Sequence, residues 1–411
     1  MKSFFKILKE ERSPLLKTII LTIVATLIFG YAMSNPYIDN IPFGIVDKDN
    51  SNLSRTVIQQ LKINPGLNVN YYADSDTELE KAIKDRRVNG GIIIPKHFEK
   101  DVSLAKSPSA LIVIDGTSLP KEASILGYAS QVLGTINAGA QISVLQGNGM
   151  VPYQSKQAVL NFSYGERILY EPQSSYLRYL IYTLIPLVNQ GFFVPVLLVP
   201  ALMKKKEQFA HIKMCSKEGV KAVIGLIGRV LLYSTICIIL IFTCLCIVDK
   251  LFGVPLRGDI LIYIVLMSLF FINLTAMGLV FTSFMDNLGH FILLFNLINI
   301  PIFLTCGIIF PDYLLPTGMP EALNSLWPFR HMTMGLKMLN LKGLSWDLML
   351  PYLKNELKFG AFWLPIGLAM YSARIAFMKY KNSKIPKEYI SQEDIVEENI
   401  IREGAVQEDV I

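Results

Sequence analysis

A run of Lys204, Lys205, Lys206, Glu207, Gln208, Phe209 and His211 stands between two long apolar stretches. Charges so placed hold a membrane boundary or give a partner protein something to grip, and one segment can do both. Within the apolar stretches lie the amides Asn189, Gln190, Asn273, Asn296 and Asn299. An amide at mid-membrane must face protein or a water-filled path, so these residues either line a pathway or hydrogen-bond one helix to another. Asn189, Gln190, Asn296 and Asn299, with Phe310 and Pro311 at the end of one stretch, are the candidate pathway and gate residues. The stretches themselves hold no acid, which argues against an ion-coupled pump. Asp47, Asp49 and Asp115 each follow a strand-like run. Carboxylates there can bind a cation or act as acid and base, but turn formation and helix capping need the same residues. His97 is isolated and reads as a surface residue. Cys215, Cys237, Cys244, Cys246 and Cys306 all lie in or beside apolar sequence, where packing explains them better than a metal does. We assign no catalytic residue and no metal site. The chain also lacks the Gly-x-x-x-x-Gly-Lys-Ser/Thr loop that cradles phosphates. If ATP drives this protein, hydrolysis takes place on another chain.

The elements that must position these residues follow from the apolar runs. Residues 179–203, 260–285 and 291–311 contain no charged side chain, and 222–248 contain only Arg229. Lys17 bounds a run at 18–33, and Lys358 and Arg374 bound one at 359–373. Such runs approach or exceed the roughly 20 apolar residues that cross a bilayer. The fold class is therefore a polytopic α-helical membrane protein with six transmembrane helices, at 18–34, 176–203, 222–248, 260–285, 290–311 and 358–378. A large extracytoplasmic α/β domain, 35–175, separates the first two. Residues 1–17 form a cytoplasmic amphipathic segment, 204–221 a cytoplasmic loop, and 312–357 short re-entrant or interfacial helices broken by Pro311, Pro316, Pro320 and Pro328. The acidic residues 379–411 form a disordered cytoplasmic tail. The first run follows a long leading segment that suits an amphipathic helix on the membrane surface better than the start of a cleaved signal peptide.

Lysines and arginines precede the first span, fill 204–221 and follow the last span. The positive-inside rule places all three in the cytoplasm, and they agree only if there are six spans. The net charge of +6 comes from these flanks, and no aromatic-basic platform for nucleic acid accompanies it. In the polar domain, strand-like runs at 41–46, 67–72, 92–94 and 110–114 alternate with helical ones at 53–61, 75–87 and 120–145. Ser75 and Glu78 are spaced as a capping box. The alternation predicts a small parallel or mixed sheet, with a further strand over 160–170 as the chain returns.

Ile41-Pro42-Phe43-Gly44-Ile45-Val46-Asp47-Lys48-Asp49-Asn50-Ser51 resembles the start of the outer domain of bacterial ABC-2 type transporter permeases. Gly90-Gly91-Ile92-Ile93-Ile94-Pro95, Asp115-Gly116-Thr117, Cys306-Gly307-Ile308-Ile309-Phe310-Pro311 and Trp327-Pro328-Phe329-Arg330-His331 are similar to later blocks of that family, in the same order. The resemblance implies the membrane half of an ATP-driven exporter of the drug-export, adaptor-associated branch. Such a subunit sits in the bacterial inner membrane, binds no cofactor itself, and pairs with a second permease copy or paralogue. It docks an ABC ATP-binding subunit that holds ATP and Mg, and some members work with a periplasmic adaptor and an outer-membrane channel. The resemblance makes 204–221 the coupling loop, with Lys206, Glu207, Gln208, Phe209 and His211 in the docking contact. The family commonly follows the Glu-Gln pair with Gly-Thr, whereas this chain has Phe209-Ala210. Two other classes compete. A secondary transporter predicts inverted repeats and intramembrane carboxylates. A membrane-anchored binding or secretion scaffold predicts a polar domain without a pathway.

Overall fold

The computed structural model describes residues 12–34, 39–104, 106, 108–159, 169–170, 175–212, 216–310 and 314–384. The chain divides into an α/β unit, Asn35–Gln173, and a helical unit made of Met1–Ser34 and Ser174–Ile411.

Among the described residues the α/β unit is built on four strands, β1 (Ile41–Asp47), β2 (Leu67–Tyr72), β3 (Gly90–Ile94) and β4 (Leu111–Ile114), in the order β2-β1-β3-β4. β1 pairs in parallel with both β2 and β3, and β4 closes the edge antiparallel to β3. Side chains alternate across a strand. Ile41, Phe43 and Ile45 therefore face one core, with Val57, Leu61, Ile94 and Ile125. Val46 faces the other, with Leu79, Ala82 and Ile93. Gly91 is needed where β3 runs beside β1, since a Cβ there would lie 2.7 Å from the Gly44 carbonyl oxygen. Helices α2 (Asn52–Ile63), α3 (Asp76–Lys84), α4 (Phe98–Ser103), α5 (Leu119–Gly147) and α6 (Pro152–Val159) complete the unit. Ser51 caps α2 and Ser75 caps α3, the Glu78 carboxylate returning to the Asp74 N–H at 2.8 Å. The strand expected over 160–170 lies almost wholly outside the described residues.

Among the described residues of the helical unit, five helices are long and apolar enough to cross a membrane. They are α1 (Arg12–Ala32), a continuous helix Tyr176–His211, α9 (Lys217–Phe252), α10 (Ile260–Phe284) and α14 (Trp346–Lys384). A shorter apolar helix, α11 (Leu288–Leu304), and two short helices, α12 (Met319–Leu326) and α13 (Phe329–Lys342), lie between the last two. α1 buries Thr18, Thr22, Thr26 and Gly30, one residue per turn, and packs on the second and third long helices through that narrow face.

Helix Tyr176–His211 consists of α7 (Tyr176–Phe192), a π-helical segment Phe193–Leu198, and α8 (Val199–His211). Pro195 lies in the π segment, where the ladder has already widened to absorb its missing N–H. The structure differs from the sequence expectation at two boundaries. Residues 204–211, expected as loop, continue α8, because their lysines, Glu207 and Gln208 are good helix formers and Leu202, Lys206, Phe209 and Ala210 share one buried face. The last helix starts at Trp346 rather than at 358 and carries Pro351 and Pro365 inside it. It lies along α10 so closely that a Cβ at Gly367 would sit 2.7 Å from the Ala276 carbonyl oxygen.

Candidate functional site

At one end of the helical unit, α8 presents two faces. Lys204, Glu207, Gln208 and His211 are exposed, and Lys206 and Phe209 are buried. A fully buried lysine is rare unless paired. Lys206 is only 2% exposed, and its ammonium donates to the carbonyls of Thr282 at 2.9 Å and Met285 at 3.2 Å and to Asp286 Oδ1 at 2.6 Å. The three acceptors sit at the C-terminal end of α10, where orphan carbonyls and the helix dipole favour a cation. The second Asp286 oxygen accepts from the Arg374 guanidinium on α14. The Lys206 hydrogen bond, reinforced by Arg374, holds the Asp286 carboxyl below its ordinary value although partial burial opposes this. One turn away the Tyr371 hydroxyl of α14 donates to the Leu202 carbonyl at 2.7 Å.

A second polar seam runs through the middle of the bundle. Buried Gln190 donates to Asn299 Oδ1 at 2.8 Å and accepts from the Trp327 indole N–H at 3.3 Å. The structure thus joins Gln190 of α7 to Asn299 of α11, and adds Trp327, whose ring lies in an aromatic cluster with Phe281, Phe291 and Phe295. Asn189 is buried elsewhere, against the Cys237 thiol of α9. Asn296 is exposed on α11 among Leu293, Leu297 and Ile300. Phe310 is 45% exposed, and Pro311 lies outside the described residues. Tyr179 ties this end to α7, its hydroxyl donating to the Ile308 carbonyl at 2.7 Å while Lys337 Nζ stands 3.2 Å above its ring.

One expectation is corrected. The sequence reading finds no acid among the spans, yet Glu356 is wholly buried against Asn273, midway along α10. The Asn273 amide donates to the Glu356 backbone carbonyl at 2.9 Å and to its carboxyl oxygen Oε2. The cause is the early start of α14, which draws the acid-bearing segment into the bundle. A signal exists in the sequence: Met349, Leu353, Glu356 and Phe359 recur at helical spacing, so the acid sits on the buried stripe.

The carboxylates of the α/β unit do not converge. Asp47 accepts from the N–H groups of Asp49 and Asn50 and from the Ser54 hydroxyl, Asp49 from Glu99 N–H, and Asp115 from Thr117 N–H. Those bonds are turn and cap formation. Among the described residues no three His, Cys, Asp or Glu side chains gather as a metal site. The same unit holds a cavity of about 740 Å³ lined by Phe98, Val102, Leu133, Ile136 and Val144, with Lys106 on its wall.

A bundle of long apolar helices with a two-faced charged helix end and buried amides is that of a multi-pass membrane protein. The family described as "ABC-2 family transporter protein" matches residues 13–369, and the chain belongs to it. It is an ABC transporter permease, the membrane subunit of such a transporter. Over 115 residues it is 29% identical to the linearmycin resistance permease protein LnrN of Bacillus subtilis (strain 168). That stretch covers 28% of this chain and 29% of the relative.

Proposed function

We propose that this chain forms the translocation pathway of an efflux pump in a bacterial inner membrane, with ATP and Mg held on a separate ABC ATP-binding subunit. The observation that carries this reading is the split of α8. Glu207, Gln208 and His211 are exposed, while Lys206 and Phe209 fix the same helix into the bundle. A push on that exposed face is delivered to the spans, and a membrane anchor needs no such arrangement.

Six spans cross the bilayer in this reading: the five long helices and α11. With 17 residues α11 rises about 26 Å, slightly short of the ~30 Å hydrocarbon core. The lysine clusters support cytoplasmic termini, a cytoplasmic α8 end and an extracytoplasmic α/β unit. Exposed Asn296, on a face otherwise apolar, supports a pathway wall or a second copy there, since lipid cannot satisfy an amide. We assign a dimer with a second copy or paralogue on that ground. The relative is named for linearmycin resistance, which supports a drug-like cargo. A periplasmic adaptor and outer-membrane channel complete the route in cells with an outer membrane.

The test is reconstitution in lipid with a co-expressed ATP-binding cassette subunit. A stable complex whose ATPase activity falls at least tenfold in Glu207→Ala, with unchanged thermal stability, is the expected result. Failure of any cassette subunit to bind the native chain would refute the reading.

A further inference from the structure

The resemblance to the family implies Lys206 in the docking contact, but its ammonium is buried within the bundle. It reaches the end of α10, and Asp286 passes the connection on to Arg374 of α14. Three other features bind the same helices. Tyr371 of α14 holds the Leu202 carbonyl of the α8 segment at 2.7 Å. A Cβ at Gly278 of α10 would lie 2.7 Å from Leu198. A Cβ at Gly367 of α14 would meet the α10 backbone. Close backbone approach and a shared ion network leave little room for these ends to slide independently.

We infer that Lys206, Asp286 and Arg374 form a clamp that makes the ends of α8, α10 and α14 move as one body, so that force arriving on α8 is passed to the second half of the bundle. This rests on the reading of α8 as the docking helix. It goes beyond that reading by assigning the route through the chain and by making Lys206 a positioning residue. An ammonium with two backbone carbonyls and one carboxylate around it has its donors used, so replacing it leaves the buried Thr282 carbonyl without a cation.

Two measurements on the full-length chain in phosphatidylethanolamine–phosphatidylglycerol nanodiscs test the clamp. The first is a thermal-unfolding cycle. Lys206→Gln and Asp286→Asn should each lower Tm by about 3–6 °C. The double variant should fall no further than the weaker single, Asp286→Glu should recover most of the loss, and Lys204→Gln on the exposed face should change nothing. Additive losses, or no loss, would overturn the clamp whether or not any ATPase subunit binds. The second measures spin-label distances, with the cassette subunit bound and ATP added, from α10 to α8 and from α10 to α14. In the native chain the three ends should keep fixed separations through the nucleotide cycle. In Asp286→Asn, α8 should still respond to ATP, now changing its distance to α10 by several ångströms, while the α10–α14 distance no longer tracks it. Fixed separations in Asp286→Asn would refute transmission by the clamp. If the cassette subunit fails to bind the native chain, the docking reading falls and the unfolding cycle alone decides the inference.

Discussion

Glu356 and Asn273 show how much one buried pair can ask of its neighbours. The acid has no exposed surface, and its Oε1 atom has no hydrogen-bond partner among the described residues. Removing the Asn273 amide should therefore cost more than replacing the acid by its own amide. Asn273→Leu strands the carboxyl and should destabilise the chain by about 3 kcal/mol. Glu356→Gln keeps an acceptor of the same shape and should cost less than ~1.5 kcal/mol. Adding Glu356→Met to Asn273→Leu should recover most of the loss. Chemical unfolding of the four proteins in lipid checks this, and additive costs would contradict it. Asp286 gives a pH prediction. Its carboxyl ionises below its ordinary value because Lys206 and Arg374 hold the charged form. Its contribution is thus complete above the unfolded carboxylate value near 4 and is lost only as acid carries the solution through the lower, folded one. The Tm difference between the native chain and Asp286→Asn should stay constant from pH 7 to 5 and shrink below about 4.

At the scale of elements, two glycines of different surroundings separate packing from propensity. Gly367 meets the α10 backbone, and Gly127 on α5 has nothing within 4 Å of a built Cβ. Gly367→Ala forces apart helices that cannot yield at a carbonyl, and should cost about 1–3 kcal/mol. Gly127→Ala should be neutral or stabilise by up to ~1 kcal/mol through helix propensity. Reversal of that order in unfolding measurements would mean that α14 does not lie on α10 as described. The elements themselves were largely legible in the sequence. The strands follow from the alternation, which allows a parallel or a mixed sheet and leaves the antiparallel edge strand β4 undetermined, and Ser51 and Ser75 mark helix starts by local chemistry that needs no tertiary knowledge. Lys206 and Glu356 were misjudged for the opposite reason. Composition alone places a lysine beside a span at the surface and an acid outside the bilayer. Their partners, Asp286 and Asn273, lie 80 and 83 residues away, and no local pattern announces so distant a pairing. The joining of Gln190 to Asn299, and the parting of Asn189 from both, follow from which way each side of α7 faces, which adjacency in sequence does not reveal.

For the whole molecule, the reading makes the chain a transducer with an inner face that receives work and a bundle that passes it on. It predicts opposite sidedness for two positions: in sealed cells a membrane-impermeant thiol reagent should label Asp115→Cys and leave Gln208→Cys untouched until the membrane is opened, in a background whose native cysteines are replaced. The reverse pattern would invert the topology.

The most direct measurement is capture of an ATP-binding cassette subunit, co-expressed from the same gene neighbourhood, by the purified chain with the exposed α8 face intact or reversed. The native chain should retain the subunit, and the Glu207→Arg, Gln208→Arg double variant should lose it at least tenfold while keeping its Tm, since neither side chain is buried. Equal capture by both would contradict the account.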